Sequence, residues 1–258
     1  GIVPAGTTGE SPTLSHDEHK KVIQISVKEC NGKIPVIAGT GSNSTEEAVE
    51  LSKHAEKSGS DALLIVTPYY NKPTQEGLYQ HYKKINDSVG IPIIIYNIPS
   101  RSVIDMSVET MSKLFELKNI IGVKDATGDL KRVDQQLKSM GKEFLQLTGE
   151  DNNALEFNKR GGKGCISVTA NIAAQLCSEF QKSSLSVNDS ILQSRAKEIN
   201  DLLTPLHKAL FIESNPSPVK YAASLLKLSP DTVRLPLVTV RESTKTSIKN
   251  ALKVAKLL

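Results

Sequence analysis

Lys124 stands where a nucleophilic amine could act, at the end of the apolar run 120–123 and directly before an Asp-Ala-Thr-Gly turn. A lysine held against an apolar interior loses hydration, and this loss favours the neutral amine that forms Schiff bases with carbonyl compounds. A single lysine at a strand end is more often a solvated side chain. The interpretation of Lys124 therefore depends on what the other predicted strand ends carry.

Polar residues follow the other predicted strands and include the groups that Schiff-base chemistry needs besides the amine. Hydroxyl groups can relay protons, an arginine can bind a carboxylate through two hydrogen bonds, and backbone groups beside two threonines can hold a second anion. Each residue alone also has an ordinary explanation, such as packing for a tyrosine or a turn for a threonine. The set as a whole favours a site. Its members are Thr7, Thr8, Tyr69, Tyr70, Asn71, Tyr96, Asn97, Arg101, Lys124, Gly149, Glu150, Asp151, Ser167 and Thr169.

Strand and helix patterns alternate along the chain, and the helices carry two capping-box signatures, at Ser15 with Glu18 and at Ser44 with Glu47. The strand patterns are continuously apolar, which is typical of a parallel sheet buried on both faces. Strands are predicted at 1–5, 35–38, 62–67, 92–96, 120–124, 144–148 and 164–169. Helices are predicted at 16–29, 45–57, 75–87, 107–117, 130–140, 153–159 and 173–182.

These seven strand–helix units predict the α/β class and a (β/α)8 TIM barrel, with the first unit missing before Gly1. The barrel would span residues 1–186, and a C-terminal helical region would span 187–258. A doubly wound open sheet is the competing architecture. Its support is the segment 39–44, Gly-Thr-Gly-Ser-Asn-Ser, a partial dinucleotide fingerprint in which a serine replaces the third glycine.

The composition excludes several functional classes. The 258 residues carry 32 basic and 28 acidic side chains, and the net charge of +4 is too mild to indicate nucleic-acid binding. The three cysteines lack paired or metal-ligand spacing, which is typical of a reducing compartment. No apolar stretch approaches the roughly 20 residues of a membrane span, and no signal peptide is visible. We therefore expect a cytoplasmic protein that binds neither nucleic acid nor membranes.

Six segments along the chain carry a recognisable pattern: Gly-Thr-Thr-Gly-Glu at 6–10, Thr-Pro-Tyr-Tyr-Asn at 67–71, Tyr-Asn-Ile-Pro-Ser-Arg at 96–101, Gly-Val-Lys-Asp-Ala-Thr-Gly at 122–128, Gly-Cys-Ile-Ser-Val-Thr-Ala-Asn at 164–171 and Asn-Pro-Ser-Pro-Val-Lys at 215–220. In order, spacing and extent over essentially the whole chain, these segments closely resemble the dihydrodipicolinate synthase family. The resemblance implies a barrel enzyme of the class I aldolase type. It also implies a homotetramer built as a dimer of dimers, with no metal and no organic cofactor.

The resemblance also implies roles for single residues. Lys124 would form an imine with pyruvate, and Tyr96 would donate and accept protons near that imine. The derived enamine would attack L-aspartate 4-semialdehyde and lead to 4-hydroxy-tetrahydrodipicolinate, in lysine and diaminopimelate biosynthesis. Thr7 and Tyr70 would complete a proton relay, with Tyr70 reaching into the active site of a neighbouring subunit.

Four further positions would bind the substrates according to the same resemblance. Thr8 would bind the pyruvate carboxylate and Arg101 the carboxylate of the semialdehyde. The backbone at Gly149 and Ile166 would line the pocket. These roles remain expectations that depend on the resemblance.

Three alternatives stay open at this point. N-acetylneuraminate lyases share the barrel, the lysine and a Tyr-Asn-Ile-Pro segment, but they typically lack an arginine at the position of Arg101. Keto-deoxy sugar acid aldolases and dehydratases are a second alternative. A non-catalytic truncated barrel is the third, because unpaired strand edges at its front would favour association. Arg101 favours the synthase, since a second substrate with a carboxylate needs a fork-shaped partner.

A regulatory site is also implied, because some bacterial and plant members of the family bind L-lysine at a subunit interface. Glu47 has a structural explanation as well, in the second capping box. The pair His16 and His19 could suggest a metal, but a capped first helical turn explains it better, so no metal is expected. Lysine inhibition is expected through positions that include a proline where the family often has alanine. These positions are Ser11, Pro12, His16, His19, Asn43, Glu47 and Tyr69.

Overall fold

The computed structural model describes residues 1–258 and divides into two compact units. The first unit contains residues 1–148 and 160–162, and the second contains residues 149–159 and 163–258. No helix in the structure combines the length and the apolar character that crossing a bilayer requires. The predicted division at residue 187 stays a prediction.

The first unit contains a five-stranded sheet whose neighbouring strands are all parallel and follow the chain order. The strands are β1 (Ile37–Gly39), β2 (Ala62–Val66), β3 (Ile93–Asn97), β4 (Ile120–Asp125) and β5 (Leu145–Thr148). The predicted strand at 1–5 is reduced to one parallel bridge between Ile2 and Val36. The alternation of strands and helices therefore predicted the α/β class and the parallel sheet correctly.

Six helices accompany this sheet, and five of them agree with the predicted positions to within a few residues. They are α1 (His16–Cys30), α2 (Thr45–Lys57), α3 (Gln75–Asn86), α4 (Pro99–Ser102), α5 (Val108–Phe115) and α6 (Lys131–Met140). The short α4 was not predicted. Apolar side chains from β2, β3, α3 and α5 form the core of the unit, and Leu63, Ile65, Leu78 and Ile93 are fully buried in it.

Only one of the two predicted capping boxes forms. The Ser15 hydroxyl accepts the amide of Glu18, and the Glu18 carboxylate accepts the amide of Ser15 in return. The Ser44 hydroxyl accepts the amide of Glu47 at 3.5 Å, but the Glu47 carboxylate is bound to His16 and Ser42 instead. The capping explanation of Glu47 is therefore wrong, and its carboxylate has another use.

The two glycines of the partial dinucleotide fingerprint are explained by close packing. A Cβ atom on Gly39 would lie 2.3 Å from the carbonyl oxygen of Ala5, and one on Gly41 would lie 2.4 Å from the amide nitrogen of Val66. Neither position tolerates a side chain, because the neighbouring backbone occupies the space. These glycines therefore need no nucleotide to account for them.

The second unit is helical around its own apolar core, which Leu203, Leu206, Ala222 and Ile248 help to form. Its helices are α7 (Ala154–Lys159), α8 (Ala174–Leu185), α9 (Ser190–Ala209), α10 (Ser217–Leu225) and α11 (Glu242–Val254).

The predicted strand at 164–169 is wrong, because this stretch contains a single bridge residue and runs into a short 3-10 helix at Thr169–Asn171. The carboxylate of Asp151 accepts the backbone amides of Val168 and Thr169 at 3.0 and 3.2 Å and also the Ser167 hydroxyl. Amides that donate to a side chain cannot enter a strand ladder.

Candidate active site

Lys124 and Tyr96 lie side by side at the carboxyl end of the sheet. They are cross-strand partners of β4 and β3, and the Lys124 Nζ atom lies 4.1 Å from the centroid of the Tyr96 ring. An ammonium group at this distance is attracted by the face of the ring. The Tyr96 side chain is buried and the Lys124 side chain is half-buried. The structure thus places an amine and a phenol together.

A β-bulge in β4 determines which residue of β3 lies opposite Lys124. Ile93 pairs with Ile120, but Ile94 pairs with Gly122, so Ile121 is the extra residue of β4. A Cβ atom at Gly122 would lie 2.1 Å from the carbonyl oxygen of Leu145 in β5. Glycine is therefore required here for the close approach of the two strands, two residues before the amine.

Thr7 and Thr8 follow the segment that runs beside β1. The Gly39 amide donates to the Pro4 carbonyl at 2.9 Å, which ties this segment to the strand. The chain then turns, with the Gly9 amide on the Gly6 carbonyl at 3.0 Å and the Glu10 amide on the Thr7 carbonyl at 3.1 Å. Both threonines are half-buried in this turn, which follows the first predicted strand as expected.

Tyr70 has an unusual conformation for an aromatic residue. It follows β2 with a φ of 73° and is 86% exposed. A bulky residue in the left-handed region costs about 1–3 kcal/mol and persists only where the surroundings impose it. An exposed aromatic side chain held in this way indicates a function rather than packing.

Arg101 lies in the single turn of α4, after β3. Its backbone amide donates to the Ile98 carbonyl at 3.0 Å. The neighbouring Ser102 hydroxyl is buried and lies 3.0 Å from the carbonyl oxygens of both Ile98 and Ile104, which fixes the turn. The arginine side chain is exposed on this anchored turn, at the same edge of the sheet as Lys124.

Asp125, which the sequence pattern predicts in a turn, is a further residue of this region. It is the last residue of β4 and is 6% exposed. Its Oδ1 atom accepts the amide and the hydroxyl of Thr127 at 2.9 and 2.6 Å. Its Oδ2 atom accepts Arg132 Nε at 3.0 Å and Gln136 Nε2 at 3.1 Å. A buried carboxylate with four donors is a signal that only the structure provides.

Gly149 and Ile166 belong to the second unit. Gly149 directly follows Thr148, the last residue of β5. Ile166 is half-buried and precedes the Ser167 hydroxyl that donates to Asp151. Asp151 therefore fixes the backbone that follows Ile166.

Most of the residues predicted to bind lysine form a polar cluster in the first unit, while Ser11 and Pro12 lie in the 3-10 helix Ser11–Thr13 and make no hydrogen bond to it. His16 Nε2 lies 2.7 Å from Glu47 Oε1, and the Ser42 hydroxyl donates to Glu47 Oε2. The Ser44 amide donates to the Ser42 hydroxyl at 3.0 Å, and the Asn71 side chain donates to the Asn43 carbonyl at 2.9 Å. A carboxylate is thus held in place between two helices, α1 and α2.

His19 and Tyr69 complete this cluster. His19 is 6% exposed, its Nε2 atom lies 2.9 Å from the Gly39 carbonyl oxygen, and its buried Nδ1 atom has no partner. Burial lowers the pKa of His19, although the hydrogen bond to Gly39 opposes this effect. Burial and the charge of Glu47 raise the pKa of Tyr69. His16 and His19 use their Nε2 atoms for different partners, and no group of three potential ligands could hold a metal ion.

Comparisons with known proteins agree with the strand-end motifs. A model of the Dihydrodipicolinate synthetase family matches residues 1–255. The 4-hydroxy-tetrahydrodipicolinate synthase of Pelagibacter ubique is 70% identical over 259 aligned residues, which cover 100% of this chain and 88% of that protein. A match of this extent leaves no part of the chain outside the similarity.

Two solved structures have the same fold. The dihydrodipicolinate synthase of Acinetobacter baumannii, described as chloride inhibited and complexed with pyruvate, is 46% identical with a TM-score of 0.96, over 100% of this chain and 87% of that one. The enzyme of Cyanidioschyzon merolae with lysine bound is 35% identical with a TM-score of 0.94, over 100% and 86%.

Proposed function

The chain belongs to the dihydrodipicolinate synthetase family, and we propose that it condenses pyruvate with L-aspartate 4-semialdehyde through an imine on Lys124. The observation that carries this proposal is the pair of Lys124 and Tyr96, with 4.1 Å between the amine and the ring centroid. The product is 4-hydroxy-tetrahydrodipicolinate, on the route to lysine and diaminopimelate. Arg101 supports this reaction over that of N-acetylneuraminate lyases or keto-deoxy sugar acid aldolases.

The reaction needs a nucleophile and a group that moves protons beside it. The Lys124 amine attacks the carbonyl carbon of pyruvate, and loss of water gives the imine. Loss of a proton from the pyruvate methyl group gives an enamine, whose carbon attacks the aldehyde of the second substrate. The amino group of that substrate then closes the ring and displaces Lys124. The Tyr96 hydroxyl serves as the proton donor and acceptor for these steps.

The remaining residues bind and orient the substrates in this proposal. Thr7 and Tyr70 extend the proton relay, and Thr8 binds the carboxylate of pyruvate. Arg101 binds the carboxylate of the semialdehyde through its fork of donors. For Gly149 and Ile166 the proposal is limited to substrate binding by their backbone groups.

Assembly and location belong to the same proposal. Tyr70 suits a contact with a second subunit, since a strained and exposed aromatic side chain is stabilised when a partner covers it. The expected assembly is a homotetramer, a dimer of dimers, in the cytoplasm. The (β/α)8 barrel is part of this proposal.

Feedback inhibition by L-lysine completes the proposal. A lysine-bound homologue supports it. The Glu47 carboxylate, whose charge acts on buried His19, and the unpartnered Nδ1 atom of that histidine support it as well. An amino acid offers an ammonium group for the carboxylate and further polar groups for the histidine. Ser11, Pro12, His16, Asn43 and Tyr69 are the other proposed contacts.

Borohydride trapping tests the central step. The folded protein is incubated with pyruvate, reduced and digested, and the modified peptide is mapped by mass spectrometry. The proposal expects one adduct, on Lys124, and none without pyruvate. Absence of an adduct at Lys124 would refute the mechanism and would favour a non-catalytic barrel.

A further inference from the structure

Asn97 and Asp125 lie next to the reactive pair but on the opposite face of the sheet. Asn97 follows Tyr96 in β3, Asp125 follows Lys124 in β4, and the two are cross-strand partners. Successive side chains of a strand point to opposite faces. Tyr96 and Lys124 therefore meet on one face of the strand ends, while Asn97 and Asp125 face the helix side.

Arg132 of α6 connects this side of the sheet to the loop that contains Asp105 and Met106. Besides Asp125, its guanidinium donates to Asp105 Oδ2 at 3.3 Å and to the Met106 carbonyl at 2.7 Å. Asn97 Nδ2 donates to Asp105 Oδ1 at 2.7 Å, and the Met106 amide donates to Asn97 Oδ1 at 3.0 Å. The contacts close a ring that joins β3, the loop, α6 and β4. We call Asn97, Asp105, Asp125, Arg132 and Gln136 the Asp125 network.

The network is mostly buried, and stability alone does not explain why charged residues occupy these positions. Arg132 is 8% exposed, Asp125 is 6% exposed, and only the Asp105 side chain is half-exposed. Removing two charges from water offsets most of their attraction, and well-packed apolar residues in their place are often neutral or stabilising. What a buried hydrogen-bonded network provides is one defined geometry, and here both charged groups at its centre, Asp125 and Arg132, are hydrogen-bonded, while Gln136 Oε1 has no partner.

We propose that the Asp125 network is a positioning device for Lys124, fixing the ends of β3 and β4 so that the amine stays level with the Tyr96 ring. This inference rests on the proposed function. A misplacement of about 1 Å can cost roughly 100-fold in rate, so the backbone that carries a long, flexible lysine must be held firmly. Asp125 is adjacent to Lys124, and its carboxylate accepts four hydrogen bonds that fix the end of β4. It is thus a positioning residue and not a catalytic one.

Asp125→Asn tests the proposal, because it keeps the shape of the side chain and removes its charge. The reaction proceeds in two half-reactions. The value of kcat/KM for pyruvate therefore reports on imine formation, and the value for the semialdehyde reports on the later condensation. We expect kcat/KM for pyruvate to fall roughly 10- to 100-fold, by analogy with the loss of a residue that orients a metal ligand. The value for the semialdehyde should change less than about threefold. Asp125→Glu, which restores the charge, should recover part of the loss.

The matched control is Asp134→Asn, the same change on α6 at an exposed carboxylate that pairs with Arg160. It should leave both constants unchanged. If Asp125→Asn does not fold, Arg132→Lys is used. Lysine keeps the charge but cannot make all of the arginine's contacts. We again expect kcat/KM to fall for pyruvate and to change little for the semialdehyde.

The possible outcomes separate the two proposals. Equal losses in both constants, or no loss, in a variant that still forms the wild-type adduct would overturn the positioning role and leave the proposed function intact. A folded wild-type protein that gives no Lys124 adduct with pyruvate would overturn both.

Discussion

Tyr96 and Lys124 face each other because β4 contains one extra residue. Without the bulge at Ile121, the pairing of Ile93 with Ile120 would continue and place Val123 opposite Tyr96. Lys124 would then lie opposite Asn97. A shift of one residue in a strand moves a side chain to the other face of the sheet. The bulge therefore decides that a lysine, and not a valine, meets the phenol ring.

Tyr96→Phe should separate the ring from its hydroxyl. The ring remains beside the Lys124 amine, so borohydride should still trap pyruvate on Lys124. Turnover should fall about 10²- to 10³-fold, because the group that moves protons is lost. Initial rates with both substrates measure the effect. Tyr79→Phe, at a half-buried tyrosine of α3, is the control, and a loss of less than threefold in Tyr96→Phe would contradict the assigned role.

Arg101→Gln should weaken the second substrate selectively. Hydrogen bonds to charged groups contribute about 1.5–3 kcal/mol, which corresponds to a rise of roughly 10- to 100-fold in KM for L-aspartate 4-semialdehyde. Trapping of pyruvate should be unchanged, since it precedes binding of the semialdehyde. Arg195→Gln, at an exposed arginine that pairs with Glu179, is the control. An equal rise in KM for pyruvate would show that Arg101 acts on the first substrate instead.

Local patterns predicted the sheet well where burial alone determines it. The apolar runs of β2 and β3 gave correct strands, since nearly all of their residues are buried. The bulge at Ile121 was not predicted, because a glycine within a strand does not reveal which backbone approaches it. The strand predicted at 164–169 failed for a related reason. Asp151, more than ten residues away, takes the amides that a ladder would need.

Some residues of the candidate site were likewise predicted from the sequence, and others were missed. The strand-end motifs and the family resemblance led to Lys124 and Tyr96, and the structure brings these two into contact. Asp125 was missed because its partners Arg132 and Gln136, 7 and 11 residues later, reach it only once α6 folds back against β4. The link from Arg132 to Asp105 spans 27 residues, so no local spacing reveals it. Glu47 was attributed to a capping box by spacing alone, whereas its carboxylate binds His16, which lies 31 residues earlier.

Glu47→Gln should weaken inhibition by lysine without affecting catalysis. The change removes the charge that an ammonium group would bind, and we expect the inhibition constant for L-lysine to rise at least about tenfold. The uninhibited rate should stay within about twofold of the wild-type rate. Steady-state assays with millimolar L-lysine measure both quantities. Glu50→Gln on the same helix, which removes an exposed pair with Lys20, should leave inhibition intact, and unaltered inhibition in Glu47→Gln would contradict the site.

His81 should make the first unit less stable in mild acid. Burial lowers its pKa from 6.5 to about 4, while Nδ1 lies 2.9 Å from the Thr45 hydroxyl oxygen and Nε2 has no partner. Above pH 6.5 neither the folded nor the unfolded state binds the proton, so stability does not depend on it. As the pH falls from 6.5 towards 4, only the unfolded state takes up the proton, and stability decreases.

The resulting decrease in the free energy of unfolding is about 2 kcal/mol between pH 7 and pH 5. His81→Gln should therefore lose that much less stability over this range than the wild type, as measured by urea unfolding at both pH values. Burial also lowers the pKa of His19 and His207, so a residual loss in His81→Gln is expected. Equal losses in His81→Gln and the wild type would show that His81 is not the group whose protonation opposes folding.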